Sequence, residues 1–165
     1  MVEKLVQLFS NIPQEIAVIL IAALPVSELR GAIPVSICIY KFSITKTLVL
    51  TLTGNLSFVI PFLWFLNNLH IYFMKYYYYN KFFTWWFNKV KPKTKNIEKY
   101  EYIGLALFVA IPLPATGAWS GCVASYLLGL DFWKSVVAII VGVLIAAIIV
   151  ITVTVITTKT VQFII

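Results

Sequence analysis

Ten residues, Pro25-Val-Ser-Glu-Leu-Arg-Gly-Ala-Ile-Pro34, cut an apolar stretch with two prolines, a glycine and two opposite charges. Proline lacks a backbone donor and clashes with the carbonyl four residues before it, so a helix cannot pass through unchanged. The nine residues before the cut, 16–24, are apolar throughout. At about 1.5 Å per residue they reach a little under half way across a bilayer core. A short apolar return, residues 35–39, and a polar turn, 41–46, follow. Irregular backbone at membrane depth is tolerated only where it is buried in protein or lines a cavity. The cut is therefore either a buried structural device or part of a path.

That the surroundings are membrane follows from composition. Hydrophobic residues make up 61% of the 165 and charged residues 12%, against roughly 25% charged in a soluble domain. The apolar residues form long runs separated by polar linkers, as membrane spans do. Residues 47–66 and 135–156 are each long enough to cross. The net charge of +7 does not indicate nucleic acid, because seven of the twelve lysines fall between Lys75 and Lys99, beside the spans. The positive-inside rule places that linker in the cytoplasm of a multi-pass plasma-membrane protein, where it would attract anionic lipid head groups. The first half of the linker carries eleven aromatics in residues 72–87. Their positions do not follow a helical period, which predicts an interfacial segment followed by a solvated loop over 89–99. Residues 1–15 are mildly amphipathic and read as a short interfacial helix.

The pattern then starts again. Residues 103–111 are apolar apart from Gly104, and Pro112-Leu-Pro-Ala-Thr-Gly-Ala-Trp-Ser-Gly121 makes a second cut before a short return, 122–128. Ala23-Leu-Pro25 matches Ala110-Ile-Pro112 at an offset of 87. Ser43-Ile-Thr-Lys-Thr47 resembles Asp131-Phe-Trp-Lys-Ser135 at 88, and Gly54 falls on Gly142. Ser43 and Asp131 are both suited to cap a spanning helix. The expected fold is an all-α integral membrane protein in a single domain, 1–165. It has two inverted repeats, 16–66 and 103–156, each a re-entrant helical hairpin plus a transmembrane helix, joined by the linker 67–102. In that arrangement the hairpins face each other near the midplane, as in transporters with inverted repeats. Four full, kinked spans are the competing reading, and the lysine distribution does not separate the two.

Glu28 and Arg30 are the sharpest chemical signal. Arg30 is the only arginine, and Glu28 the only acid between Glu15 and Glu98. A charge at the centre of a membrane helix costs about 2.5–3.5 kcal/mol on insertion scales. The two side chains either pair to hold the fold or handle a substrate, Arg30 binding an anion and Glu28 exchanging a proton. A half-helix starting near Gly31 would aim free N–H groups at the same anion. Substrate-contacting candidates are Glu28, Arg30, Gly31 and Pro34 in the first cut. In the second they are Pro112, Pro114, Thr116, Gly117, Trp119 and Ser120. Thr116 and Ser120 could equally serve the local backbone, and Trp119 could simply pack. Asn55, inside a span, reads as an interhelical hydrogen bond, and His70 as a surface residue. Cys38 and Cys122 read as inert buried thiols, and Gly142-x-x-x-Ala146 as a packing face. No metal spacing, nucleophile triad or phosphate loop appears, so neither an enzyme nor a cofactor is expected.

Ala23-Leu-Pro-Val-Ser-Glu-Leu-Arg-Gly-Ala-Ile-Pro34 and Phe108-Val-Ala-Ile-Pro-Leu-Pro-Ala-Thr-Gly-Ala-Trp-Ser-Gly121 resemble the two signature stretches of the small multidrug export protein family. That family is distantly related to the DedA/SNARE-associated (VTT) membrane proteins. Ala115 stands where the family usually has Gly, and Ser120 where Thr is common. The resemblance implies two facing re-entrant hairpins and a role in export. By analogy with DedA-like relatives it implies translocation of an anionic, polyprenyl-phosphate-like lipid, with Glu28 as a proton-coupling group. Efflux of small drugs and a non-transporting scaffold are the alternatives. The expected partners are membrane lipids, the substrate and a second copy of the chain.

Overall fold

The structure is a computed structural model that describes residues 12–68, 75–90, 101–113 and 116–164. The expected interfacial helix of residues 1–15, His70, Pro114, Ala115 and most of the basic loop lie largely or wholly outside these residues. Among the described residues all regular structure is helical: α1 (Gln14–Ala23), α2 (Glu28–Pro34), α3 (Ile44–Leu56), α4 (Val59–Asn68), α5 (Tyr77–Val90), α6 (Glu101–Ala110), α7 (Ala118–Leu127) and α8 (Phe132–Ile164). A π-helical turn, Val35–Ile39, continues α2.

Prolines punctuate these helices. Pro25 forces Leu24 into extended backbone and ends α1. Pro34 lies inside the helical run, so the first cut is narrower than its two prolines suggest. Pro34 has no N–H for the Arg30 carbonyl; the Val35 N–H turns to the Gly31 and Ala32 carbonyls. Pro61 disturbs the run at Ser57 in the same way, and the Ser57 hydroxyl donates to the Gly54 carbonyl at 2.8 Å. The run still amounts to a 25-residue apolar helix, Ile44–Asn68. This helix and Phe132–Thr158 are long and apolar enough to cross a membrane. On α8 the residues left exposed include Val137, Val141, Leu144 and Ile148. That one-sided stripe would be polar on a helix facing water.

Packing divides the chain into two units, residues 1–57 with 144–165, and residues 58–143. In the first, α1 packs on both α2 and α3. Val18, Ile21, Ala22, Ala32 and Val35 are fully buried, with Tyr40, Phe42 and Leu50 against them. In the second, α7 packs against α4, α5 and α6, burying Leu63, Leu66, Leu105, Val109 and Val123. The aromatic linker yields a helix, α5, where no helical period was expected. In the sequence, the run of four tyrosines at 76–79 obscures the period of a face that includes Phe83 and Trp86. Phe83 is buried, and Trp86 lies 5.9 Å from Phe62 and 6.2 Å from Trp119 between ring centroids. Lys89 and Val90, expected in the loop, belong to this helix.

The same local contacts occur in both units. Ser43 Oγ accepts from the Lys46 N–H at 3.3 Å, and Asp131 Oδ1 from the Lys134 N–H at 3.1 Å. A Cβ on Gly54 would run into the Ile19 carbonyl oxygen and touch Ala22 Cβ at 3.0 Å. On Gly142 it would lie 2.5 Å from the Ala106 carbonyl oxygen and 2.7 Å from Val109 Cβ. Residues 19 and 22 are 87 positions before 106 and 109. Buried hydroxyls join the return helix to the next span in each unit, Ser36 with Thr47 at 2.7 Å and Ser125 with Ser135 at 2.6 Å. Lys46 bonds Glu15 at 2.7 Å, while Lys134 sits 5.6 Å from the Tyr102 ring centroid, again at offsets of 87 and 88.

Candidate functional site

The first break occupies residues 24–27. A helix that stops inside an apolar medium leaves its last carbonyls needing donors, and here donors are supplied from several directions. The Leu24 N–H reaches the Ile21 carbonyl at 3.4 Å, and the Ser27 hydroxyl donates to the same oxygen at 2.6 Å. Asn55 Nδ2, from α3, donates to the Ala22 carbonyl at 3.2 Å. The Glu28 N–H donates to the Leu24 carbonyl at 3.0 Å. This is the interhelical role expected of Asn55.

Glu28 then starts α2 with a left-handed backbone, φ 47°, and is only 7% exposed. Non-glycine residues in that region cost roughly 1–2 kcal/mol each. Such outliers persist where the surroundings hold them, often at functional sites. Arg30 is half-buried, and the charge of Glu28 acts on it. Gly31 and Pro34 lie further along the same short helix, both half-buried. The helix begins at Glu28, not near Gly31, and the Gly31 N–H is bonded to the Ser27 carbonyl at 2.9 Å. The expected free N–H groups at Gly31 are therefore not a feature of this site.

The second break is longer. Ile111, Pro112 and Leu113 are exposed, while Thr116 and Gly117 are buried. Thr116 Oγ1 lies 2.7 Å from both the Ile111 and Leu113 carbonyl oxygens and accepts from the Leu113 N–H at 3.2 Å. The hydroxyl closes the turn, as Ser27 closes the first. Gly117 follows with φ 125°, as Glu28 follows Ser27. Trp119, two residues on, stacks on Phe58 at 4.0 Å and tilts against Phe62 at 4.5 Å. It takes the place in the turn that Arg30 takes in the first break. Ser120 is buried in α7. Pro114 lies outside the described residues.

Cys122 is buried and Cys38 half-buried, and neither is joined in a disulfide among the described residues. Among the described residues no group of three or more His, Cys, Asp or Glu side chains could hold a metal ion. The residues sequence reasoning passed over are Ser27, the aromatic face of α5 and the hydroxyl pairs. Ser27 had a signal, a hydroxyl directly before a charge inside an apolar run. The others needed the offset to be followed beyond the motifs.

A family model described as "Putative small multi-drug export protein" matches residues 28–149. The chain belongs to this family. The match opens on Glu28, directly after the first break, and covers α2, the whole of Ile44–Asn68, the second break and α8 as far as residue 149. No curated protein and no solved structure matches the chain. The family and the two long apolar helices together make this a membrane-associated protein of an export family.

Proposed function

We propose that the chain translocates an anionic lipid or amphiphile of polyprenyl-phosphate type, held chiefly from the first break. The observation that carries the reading is a buried carboxylate, Glu28, set two residues before a half-buried guanidinium, Arg30, at one left-handed turn. A guanidinium offers a planar fork of donors suited to phosphate oxygens. The carboxylate is the group that could take up a proton as the substrate leaves. Gly31 and Pro34 shape the same helix face. Pro112, Gly117, Trp119 and Ser120 are secondary contributors, and Thr116 is read as a turn residue only. Each broken segment is read as re-entrant, entering and leaving on one side of the membrane. Each half then crosses once, and the two halves have opposite topology. The recurring glycine crossings and hydroxyl pairs support that reading of a duplicated unit, and the basic linker is read as cytoplasmic.

Vesicles reconstituted with the protein and a labelled polyprenyl phosphate test it. Transport above empty vesicles, falling at least tenfold in Arg30→Ala and partly restored in Arg30→Lys, is the expected result. Transport no faster than in empty vesicles, or an undiminished rate in Arg30→Ala, would overturn it. The family description favours a second reading, efflux of small drugs. Drug tolerance that rises on expression and survives Arg30→Ala, with no lipid movement in vesicles, would establish that one instead.

A further inference from the structure

Asn55 is 1% exposed, and its Oδ1 has no hydrogen-bond partner among the described residues. The other half of the same amide is committed to the Ala22 carbonyl. A buried acceptor left without a donor costs about 1–3 kcal/mol, so the position asks for a ligand. Backbone carbonyls of α1 lie beside this residue, and its own Nδ2 reaches that of Ala22. Gly54 brings α3 against the Ile19 carbonyl, and Asn55 follows it onto the last turn of α1, where the helix dipole is negative. The donors around this end of α1 are spent on other oxygens: Ser27 Oγ and the Leu24 N–H on Ile21, the Glu28 N–H on Leu24.

The second unit shows that the architecture does not need an amide here. Its glycine crossing is the same, yet the residue after Gly142 is Val143, buried at 1% exposure. An apolar side chain stands at that crossing instead. The amide is peculiar to the first unit, where the charges also are.

We infer that Asn55 Oδ1, at the C-terminal end of α1, is a ligand of a monovalent alkali cation, of which Na⁺ is the representative. Neutral carboxamide and carbonyl oxygens suit a hard cation. Calcium and magnesium sites draw on several carboxylates, whereas this break has one, Glu28. Half-helix C-termini and unwound carbonyls coordinate coupling ions in transporters with broken helices. The inference deepens the proposed function by naming a coupling ion, and it rests on that reading only for the ion's purpose, not for its binding.

The test is ion binding without substrate, so that its failure is distinct from a failure of lipid transport. Purified full-length protein in detergent is unfolded thermally with a thiol-reactive dye, which reports Cys38 and Cys122. NaCl is titrated against choline chloride at constant ionic strength. A saturable rise in unfolding temperature with Na⁺ is expected. At ten times the dissociation constant, the folded-to-unfolded ratio should rise about tenfold. Asn55→Val, which copies the second unit, should fold and lose the Na⁺ response, whereas Asn55→Asp should keep or strengthen it. A flat response in the wild type would overturn the inference, leaving Oδ1 to a buried water. So would a full response in Asn55→Val. If Asn55→Val does not fold, loss of the Na⁺ response in Asn55→Asp overturns it equally.

Discussion

The two breaks solve one backbone problem with different side chains. Each has a hydroxyl residue, Ser27 or Thr116, turned onto carbonyls left at the end of the preceding helix. Each then has a residue of positive φ that opens the return helix. In the second that residue is Gly117, and Trp119 two positions on closes an aromatic cluster with Phe58, Phe62 and Trp86. In the first it is Glu28, and Arg30 stands two positions on. The second break spends its chemistry on staying folded. The first has its unfavourable backbone at a buried, charged residue. Lys41 shows that left-handed backbone alone means little, since it has φ 55° at an exposed helix end and Gly129 has φ 64° at the matching place. What distinguishes Glu28 is that it is buried as well.

This contrast can be broken in order of effect. Trp119→Ala should cost the most stability, about 3 kcal/mol for a half-buried tryptophan, read as a lower unfolding temperature. Transport per folded molecule should fall far less than in Arg30→Ala. A Trp119→Ala variant of unchanged stability and abolished transport would move the functional centre to the second break. Next, Gly117→Ala should destabilise by about 1–3 kcal/mol, since φ 125° suits only glycine.

At position 28 the usual helix preference should reverse. Glu28→Gly is expected to be more stable than Glu28→Ala by about 1 kcal/mol, whereas in a regular helix alanine leads by a similar margin. Both should lose transport. Alanine ahead of glycine would show that Glu28 carries no backbone penalty.

The smallest effect concerns the matching contacts of Lys46 and Lys134. The hydrogen bond from Lys46, then a backbone hydrogen bond and lastly the Lys46 charge, hold the exposed Glu15 carboxyl below its ordinary value of 4.5. A lowered folded pKa contributes stability above the unfolded value, and that stability is lost as pH falls through the folded one. Lys46→Met should therefore slightly flatten the unfolding temperature between pH 5 and pH 3, in round terms the carboxylate range. Lys134→Met, which removes a contact with a tyrosine ring, should leave the same profile unchanged.

Much of this was legible because proline and glycine act locally. Pro25 and Pro112 marked where α1 and α6 end, Ser43 and Asp131 marked the caps, and the shared offset found both glycine crossings. Pro34 misled because a proline near the end of a short helix can be absorbed by a π turn. The face of α5 was hidden by tyrosines that supply aromatic character on every side. The isolation of Glu28 and Arg30 was visible from the chain. The left-handed backbone of Glu28 was not, because φ at a break is set by how the chain returns rather than by the residue's own preference. The lone acceptor of Asn55 was also invisible, since one amide atom was satisfied and sequence does not distinguish the two.

The π turn at Val35–Ile39 has a consequence for how the two halves stay alike. Eleven positions separate Ser36 from Thr47, but ten separate Ser125 from Ser135. The first half thus carries one residue more between hydroxyls that must still meet. In an ordinary helix one added residue would swing everything after it by about 100°, turning the next span's buried face outward. Here the Tyr40 N–H reaches back five residues to the Val35 carbonyl at 3.0 Å, and the surplus is taken up within one turn. The wide turn acts as a spacer: if the two halves are copies of one module, as proposed above, one copy can gain a codon without losing the joint that both require.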